Sequence, residues 1–263
     1  MRIGAGLVGA VLGCALGLWT GAARAQPTAL EELGSAAGEA AAPSELLDSL
    51  ARFEERAVEA RSERRRAPKP RLREGFLGVP IVQQEEEYSC GPAALLSVLQ
   101  YWQVSKDSET ALYPLLGTTE DGTKPEMLVA GAKKLGLEAS MRSKLGLADL
   151  RAALARGETV ILNIQAWRAK EDADKPWKDL WKNGHYVVLL AMDKHFAYVM
   201  DPGGGAEGQY GYIPLDELLE RWHDVEERAG RREESLQLGI FIKGKTPSEP
   251  GKRVPRRELT RIQ

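Results

Sequence analysis

Two apolar runs near the middle of the chain, GHYVVLLAM (184–192) and FAYVMDP (196–202), are joined by a very short connection around Lys194. Both are rich in β-branched and aromatic residues. So short a joint suits an antiparallel hairpin, because parallel neighbours need a long crossover. TVILNIQAW (159–167) and LEASMRS (137–143) before the hairpin read as strands, as do QYGYIP (209–214) and LQLGIFIKG (236–244) after it. GVPIVQQ (78–84) reads as one more short strand. Interleaved with them are helical patterns. Cys90 to Trp102 is apolar nearly throughout, PEMLVAGAKKLG opens on Pro125 and is ended by Gly136, LADLRAALARG is closed by Gly157, and LDELLERWH follows the 209–214 strand. The fold class is therefore α+β. With 43% hydrophobic and 28% charged residues and a formal net charge of −2, the composition excludes fibrous and disulfide-rich classes. It gives no general pull toward nucleic acid.

The flanks read differently. Arg2, the apolar stretch Ile3 to Trp19 and the small-x-small triplet Ala23-Arg24-Ala25 match a secretory signal spanning 1–25, with Gln26 as the mature start. Two rivals remain open: an uncleaved membrane anchor, and a lipoprotein site at Cys14 within VLGC. The chain is expected to be exported, periplasmic or secreted, with membrane association only if this segment is retained. Residues 26–75 read as a helical or disordered charged spacer. Its basic stretch, Arg64 to Arg73, is broken by Pro68 and Pro70 and has no aromatic company, which favours a solvated linker over a nucleic-acid patch. The folded domain is expected over 76–243, and the charged, proline-containing 244–263 as a loose tail.

Cys14 leaves with the signal, so Cys90 has no partner left in the chain. Free cysteines are often small buried hydrophobes, but this one opens a helix. The first N–H groups of a helix lack internal partners and carry partial positive charge, which stabilises a thiolate and raises its nucleophilic fraction. A thiolate nucleophile needs a base, and there are three histidines. His195 lies in the tight turn and His223 after a helix, so both read as exposed or packing residues. His185 opens the central apolar strand, with Gly184 before it allowing another backbone to approach. If the hairpin loop comprises Asp193, Lys194 and His195, Val187 faces Asp201, and His185 and Asp201 share a face at the open end. Asp201 would then orient the imidazole. A two-residue loop would put them on opposite faces, and Asp201 could instead only begin the turn DPGGG. Gln84, six residues before Cys90, can donate to an oxyanion together with the Cys90 N–H, although Gln83 beside it offers the same chemistry.

The set Q-x5-C-G-P-A-x-L, G-T-x-P, G-H-Y-V-V-L and a following D-P resembles the bacterial double-glycine-leader (bacteriocin-processing) cysteine peptidases of the papain-like superfamily. The resemblance spans about Val79 to Lys243. It implies a papain-like fold in which the helix bearing the cysteine packs on an antiparallel sheet bearing histidine and aspartate. It implies Cys90 as nucleophile, His185 as base and then acid, Asp201 as orienting residue and Gln84 as oxyanion donor. The best-known members are cytoplasmic domains of ATP-driven exporters, whereas this chain carries an export signal and no nucleotide-binding motif. ATP is therefore not implied, and Ser89 stands where an acidic residue often precedes the family's cysteine.

The expected function is peptide-bond hydrolysis on a peptide or protein substrate. A transpeptidase using the same acyl-enzyme and an inactive peptide-binding module on the same fold are the alternatives. No Cys/His cluster has metal-ligand spacing, and no cofactor is expected. WRAKEDADKPWKDLWKN (167–183) leads into Gly184 and is a candidate substrate wall, with Trp177, Trp181 and Gly184 as contacts; a surface loop with packed tryptophans is the alternative. Gly203 to Gly205 reads as a flexible turn, and Glu85 to Glu87 as solvated side chains able to repel acidic substrates.

Overall fold

The computed structural model describes residues 51–53, 68–204, 208–228 and 231–263. The chain divides into Met1–Ala67 and Pro68–Gln263. In the first unit residues 51–53 are helical and exposed, and the expected signal peptide lies outside the described residues. Among the described residues no helix is long and apolar enough to cross a membrane.

In the second unit the elements follow in the order α1 (Cys90–Tyr101), α2 (Tyr113–Leu116), α3 (Pro125–Lys134), β1 (Glu138–Arg142), α4 (Leu147–Ala155), β2 (Thr159–Gln165), β3 (Gly184–Met192), β4 (Phe196–Asp201), β5 (Gln209–Pro214), α5 (Leu215–Arg221), β6 (His223–Arg228), β7 (Arg231–Leu236), β8 (Gly239–Lys243) and β9 (Thr260–Arg261). Seven strands form one sheet in the order β1-β8-β2-β3-β4-β5-β9, while β6 and β7 pair separately. Every neighbour in the large sheet is antiparallel except the short β5–β9 pair.

Alternation along the central strands divides the core. Tyr186, Val188 and Leu190 of β3 join one apolar cluster with α1 and α3, whereas Val187 and Leu189 join another with α4 and α5. α1 is buried at every position but Gln100, as an apolar-all-round helix must be, and it packs on β3, β2 and α3.

The hairpin departs from expectation in an instructive way. Asp193 N–H donates to Phe196 O, so the loop holds two residues, Lys194 and His195. Asp193 Oδ1 accepts from the N–H groups of both His195 and Phe196 at 2.7 Å, an Asx-type lock that needs no glycine. Near the loop Ala191 faces Tyr198 and Met192 faces Ala197, but beyond it Leu189 faces Val199 and Val188 faces Met200. A bulge at Leu190 absorbs one residue, and its carbonyl accepts from Leu77 N–H at 3.1 Å. The bulge restores the register that a three-residue loop would have set, so His185 and Asp201 share a face after all.

Two further expectations change. Residues 78–84 form no strand; Leu77 N–H, just before them, donates to Leu190 O, and Gln84 N–H donates to Pro202 O just past β4. The supposed loose tail is folded onto the domain. Ser248, Gly251 and Val254 donate to the carbonyls of Tyr101, Phe76 and Leu72, and Ile262 is fully buried. Gly251 lies under the Phe76 ring so closely that a Cβ there would come within 2.1 Å of it. The expected domain limits, 76 and 243, are accordingly too narrow, since Leu72 is also core.

Candidate active site

Cys90 is the first residue of α1 and is nine-tenths buried. The turn before it is fixed by Ser89, whose hydroxyl accepts from Glu86 N–H and donates to Glu86 O, both at 3.0 Å. Ser89 thus ties the loop and makes no side-chain cap on the helix. Upstream, the buried carboxylate of Glu109 accepts from Glu85 N–H at 3.0 Å and Tyr113 O–H at 2.9 Å. The loop that delivers Gln84 and Cys90 is held at both of these points. Gly91 follows Cys90, and a Cβ there would crowd the Thr123 Cβ at 3.0 Å.

His185 and Asp201 meet as their shared face demands. Imidazole Nε2 lies 2.6 Å from Asp201 Oδ1, and both side chains are buried. Asp201 Oδ1 also accepts from Gly203 N–H at 2.9 Å, and Gln209 Nε2 sits 3.5 Å from Oδ2. With Nε2 on the carboxylate, Nδ1 is the nitrogen left to interact with Cys90. Burial pulls the imidazole pKa down. The hydrogen bonds to Asp201 and Cys90, and the negative charge on each, more than offset it and push the pKa up to about 10. The arrangement keeps a proton on the ring between Asp201 and Cys90, as a general acid beside a nucleophilic sulfur requires.

Gln84 reaches the same corner. A Cβ built on Gly203 would lie 3.0 Å from His185 Cε1 and 3.1 Å from Gln84 Oε1. The Gln84 amide nitrogen, however, donates to Glu86 O at 2.8 Å and Glu87 O at 3.2 Å. Its Oε1 is buried without a hydrogen-bond partner among the described residues.

A groove of about 1340 Å³ opens at Cys90, between the 117–124 loop, the start of β3 and the start of β6. Gly184 lines it; Trp177 and Trp181 do not. Trp177 is 4% exposed and sandwiched between the guanidinium groups of Arg168 and Arg221, each 3.9 Å from its ring. The Trp181 ring packs, tilted, against His223 with centroids 4.2 Å apart. Both therefore take the packed alternative rather than the substrate wall. His223, read as exposed or packing, is buried, with Nε2 against Leu180 O at 2.7 Å.

Sequence reasoning missed Gly203, which it read as a flexible turn, and Asp224. The Asp224 carboxylate packs over Gly184 so closely that a Cβ there would fall 2.5 Å from it, and Gln165 Nε2 donates to its Oδ1 at 3.1 Å. A run of glycines after Asp-Pro was the available signal for the first. Nothing local marked the second.

Residues 78–225 match the Peptidase C39 family. The chain belongs to that family. The double-glycine-leader resemblance is thereby borne out at family level, and the mixed α+β C39 domain is papain-like in its layout of helix-borne cysteine against a sheet with histidine and aspartate. Among curated relatives, an uncharacterised protein of Methanothermobacter thermautotrophicus is 33% identical over 129 residues, covering 48% of this chain and 72% of its own. One from Methanothermobacter marburgensis is 33% identical over 135 residues, covering 49% and 77%. Among solved structures, a double-glycine-motif protease from an AMS/PCAT transporter, in complex with the leader peptide, is 21% identical with a TM-score of 0.45, covering 68% of this chain and 100% of that one. The peptidase domain of Streptococcus ComA is 22% identical with a TM-score of 0.45, covering 64% and 99%. A C39-like peptidase from Bacillus anthracis is 17% identical with a TM-score of 0.45, covering 66% and 100%.

Proposed function

We propose that this C39 domain is an exported cysteine peptidase that hydrolyses peptide bonds through Cys90, His185 and Asp201. One observation carries the reading: a buried imidazole held at 2.6 Å to a carboxylate and close enough to Cys90, the sole described cysteine, for the two to perturb each other. The Cys90 thiolate attacks the scissile carbonyl carbon, forming a C–S bond and an oxyanion. The Cys90 N–H donates to that oxyanion, and Gln84 joins it by exchanging its longer bond, to Glu87 O. His185 Nδ1–H gives its proton to the amine as the C–N bond breaks, leaving a thioester. The neutral imidazole then takes a proton from water, whose oxygen displaces the sulfur and releases the acid. Asp201 keeps Nε2 oriented and balances the ring's charge throughout.

Export rests on the pattern of residues 1–25, and a peptide substrate on the groove at Cys90. Incubation with a diverse peptide library should give cleavage that falls at least roughly 10³-fold in Cys90→Ala. Equal cleavage by wild type and Cys90→Ala would remove the nucleophile from the reaction.

A further inference from the structure

The whole chain is nearly balanced in charge, with 36 basic against 38 acidic residues, but the groove at Cys90 is not. Glu86 and Glu87 line it from the loop before α1, Glu120 and Asp121 from the facing turn, and Asp224 and Glu226 from β6; among the described residues Lys124 is the one cation lining it. Four of these acids stand at exposed positions and, taken alone, would be read as a solvated rim. Asp224 is different. It is partly buried, and burial raises its carboxyl above the ordinary range despite hydrogen bonds from Val225 N–H and Gln165. Keeping a carboxylate where solvation is poor costs stability unless something compensates.

Its place relates that charge to the proposed nucleophile. The carboxylate lies over Gly184, the residue before His185, and the absence of a side chain there leaves room for it. Asp224 and Cys90 line the same groove, and Gly184 adjoins His185, so a cation held at Asp224 belongs to a peptide lying along the groove that opens at the sulfur. Tyr186 lines the same groove. Tyr186 holds its phenolic proton well above the ordinary value, first through burial and then through the charges of Cys90, Glu226, Asp224 and Glu126.

We propose that this groove selects peptides carrying a lysine or arginine next to the bond that is cut, with Asp224 receiving the cation and the acidic rim steering it in. The proposal rests on the peptidase reading of the site for the position of the cut, but selection of the cation is a property of the groove itself. Exposed carboxylates raise the local concentration of a cationic peptide, and a partly desolvated one fixes its register.

The test uses fluorescein-labelled octapeptide pools of mixed composition with one fixed central residue: Lys, Arg, Gln or Glu. Anisotropy with the full-length Cys90→Ala chain should show the Lys and Arg pools binding roughly tenfold more tightly than Gln, and Glu more weakly still, about the effect of one well-placed ion pair. The preference should shrink in 1 M salt, where screening acts over about 3 Å. In the same background it should be largely lost in Asp224→Asn and reduced in the exposed-loop double variant Glu120→Gln/Asp121→Asn, which keeps the test decisive if the first variant folds poorly. Equal binding of all four pools, or a preference untouched by both variants, would overturn the proposal. Wild-type cleavage of the pools separates the two readings. Cleavage without Lys or Arg enrichment near the cut sinks the selectivity and leaves the peptidase; Lys-selective binding without cleavage sinks the peptidase and leaves the selectivity.

Discussion

His185 stands between two partners that both favour its charged form, and its titration reports on each. Its ordinary pKa is near 6.5, and the folded value is raised to about 10 because the bonds to Asp201 and Cys90 outweigh burial. The raised value fixes the sign. The stabilisation contributed by the charged ring is fully present below about pH 6.5 and is lost as pH rises through about 10. The alkaline limb of kcat/KM for peptide cleavage should therefore lie near pH 10. Asp201→Ala removes both a hydrogen bond and a charge, so the limb should move toward lower pH and cleavage should fall about 10²-fold, the usual worth of a positioned acid–base group. A limb that stays in place in Asp201→Ala would show that the carboxylate does not govern the ring. Cys90 and His185 were legible in the sequence because so few cysteines and histidines compete for their roles. Gly203 and Asp224 were not: each matters through a close approach between segments far apart in the chain, to His185 and Gln84 in one case and to Gly184 in the other.

At the scale of elements, the shared face of His185 and Asp201 depends on a compensation inside one hairpin. Its two-residue loop alone would place His185 and Asp201 on opposite faces, and the bulge at Leu190 reverses this. Deleting Leu190 should slip the start of β3 by one residue, turn the imidazole from the carboxylate and lower cleavage at least roughly 10²-fold, with the sheet signal retained in far-ultraviolet circular dichroism. Leu190→Met, which keeps the residue count and the apolar volume, should stay within a few-fold of wild type. Full activity in the deletion would contradict the register argument. Apolar alternation and turn residues were enough to locate β1 to β5 and β8. They could not distinguish a three-residue loop from a two-residue loop with a bulge, because both bring the same residues face to face at the open end. The β6–β7 pair was invisible for a different reason: HDVEER and RREESL are mostly charged and carry no apolar alternation in sequence.

For the whole molecule, the boundary of the folded unit matters as much as its centre. The last twenty residues looked soluble and proline-broken, yet they run back across Phe76 and Leu72 and end with Ile262 buried beside Gly211. Their anchors are a few apolar residues separated by charged ones, and no local pattern reveals what they pack against. Arg221, fully buried, donates from Nε to Gln165 O at 2.6 Å and from Nη1 to Ile262 O at 2.9 Å, so the tail also closes the far end of β2. Truncation after Gly244 should destabilise the chain by about 3–6 kcal/mol, from exposing partners of Leu259 and Ile262 alone, as read from the urea midpoint. An unchanged midpoint would return the segment to the status of a loose tail.

The nucleophilic role of Cys90 can be tested most directly by intact-mass spectrometry of the full chain, quenched in acid during cleavage of a peptide substrate. A thioester should appear as the mass of the amino-terminal fragment, less water, added to the protein at Cys90. It should be absent in Cys90→Ala and strongly depleted in His185→Ala. Continued cleavage with no adduct at Cys90, undiminished when that residue is alanine, would contradict the mechanism.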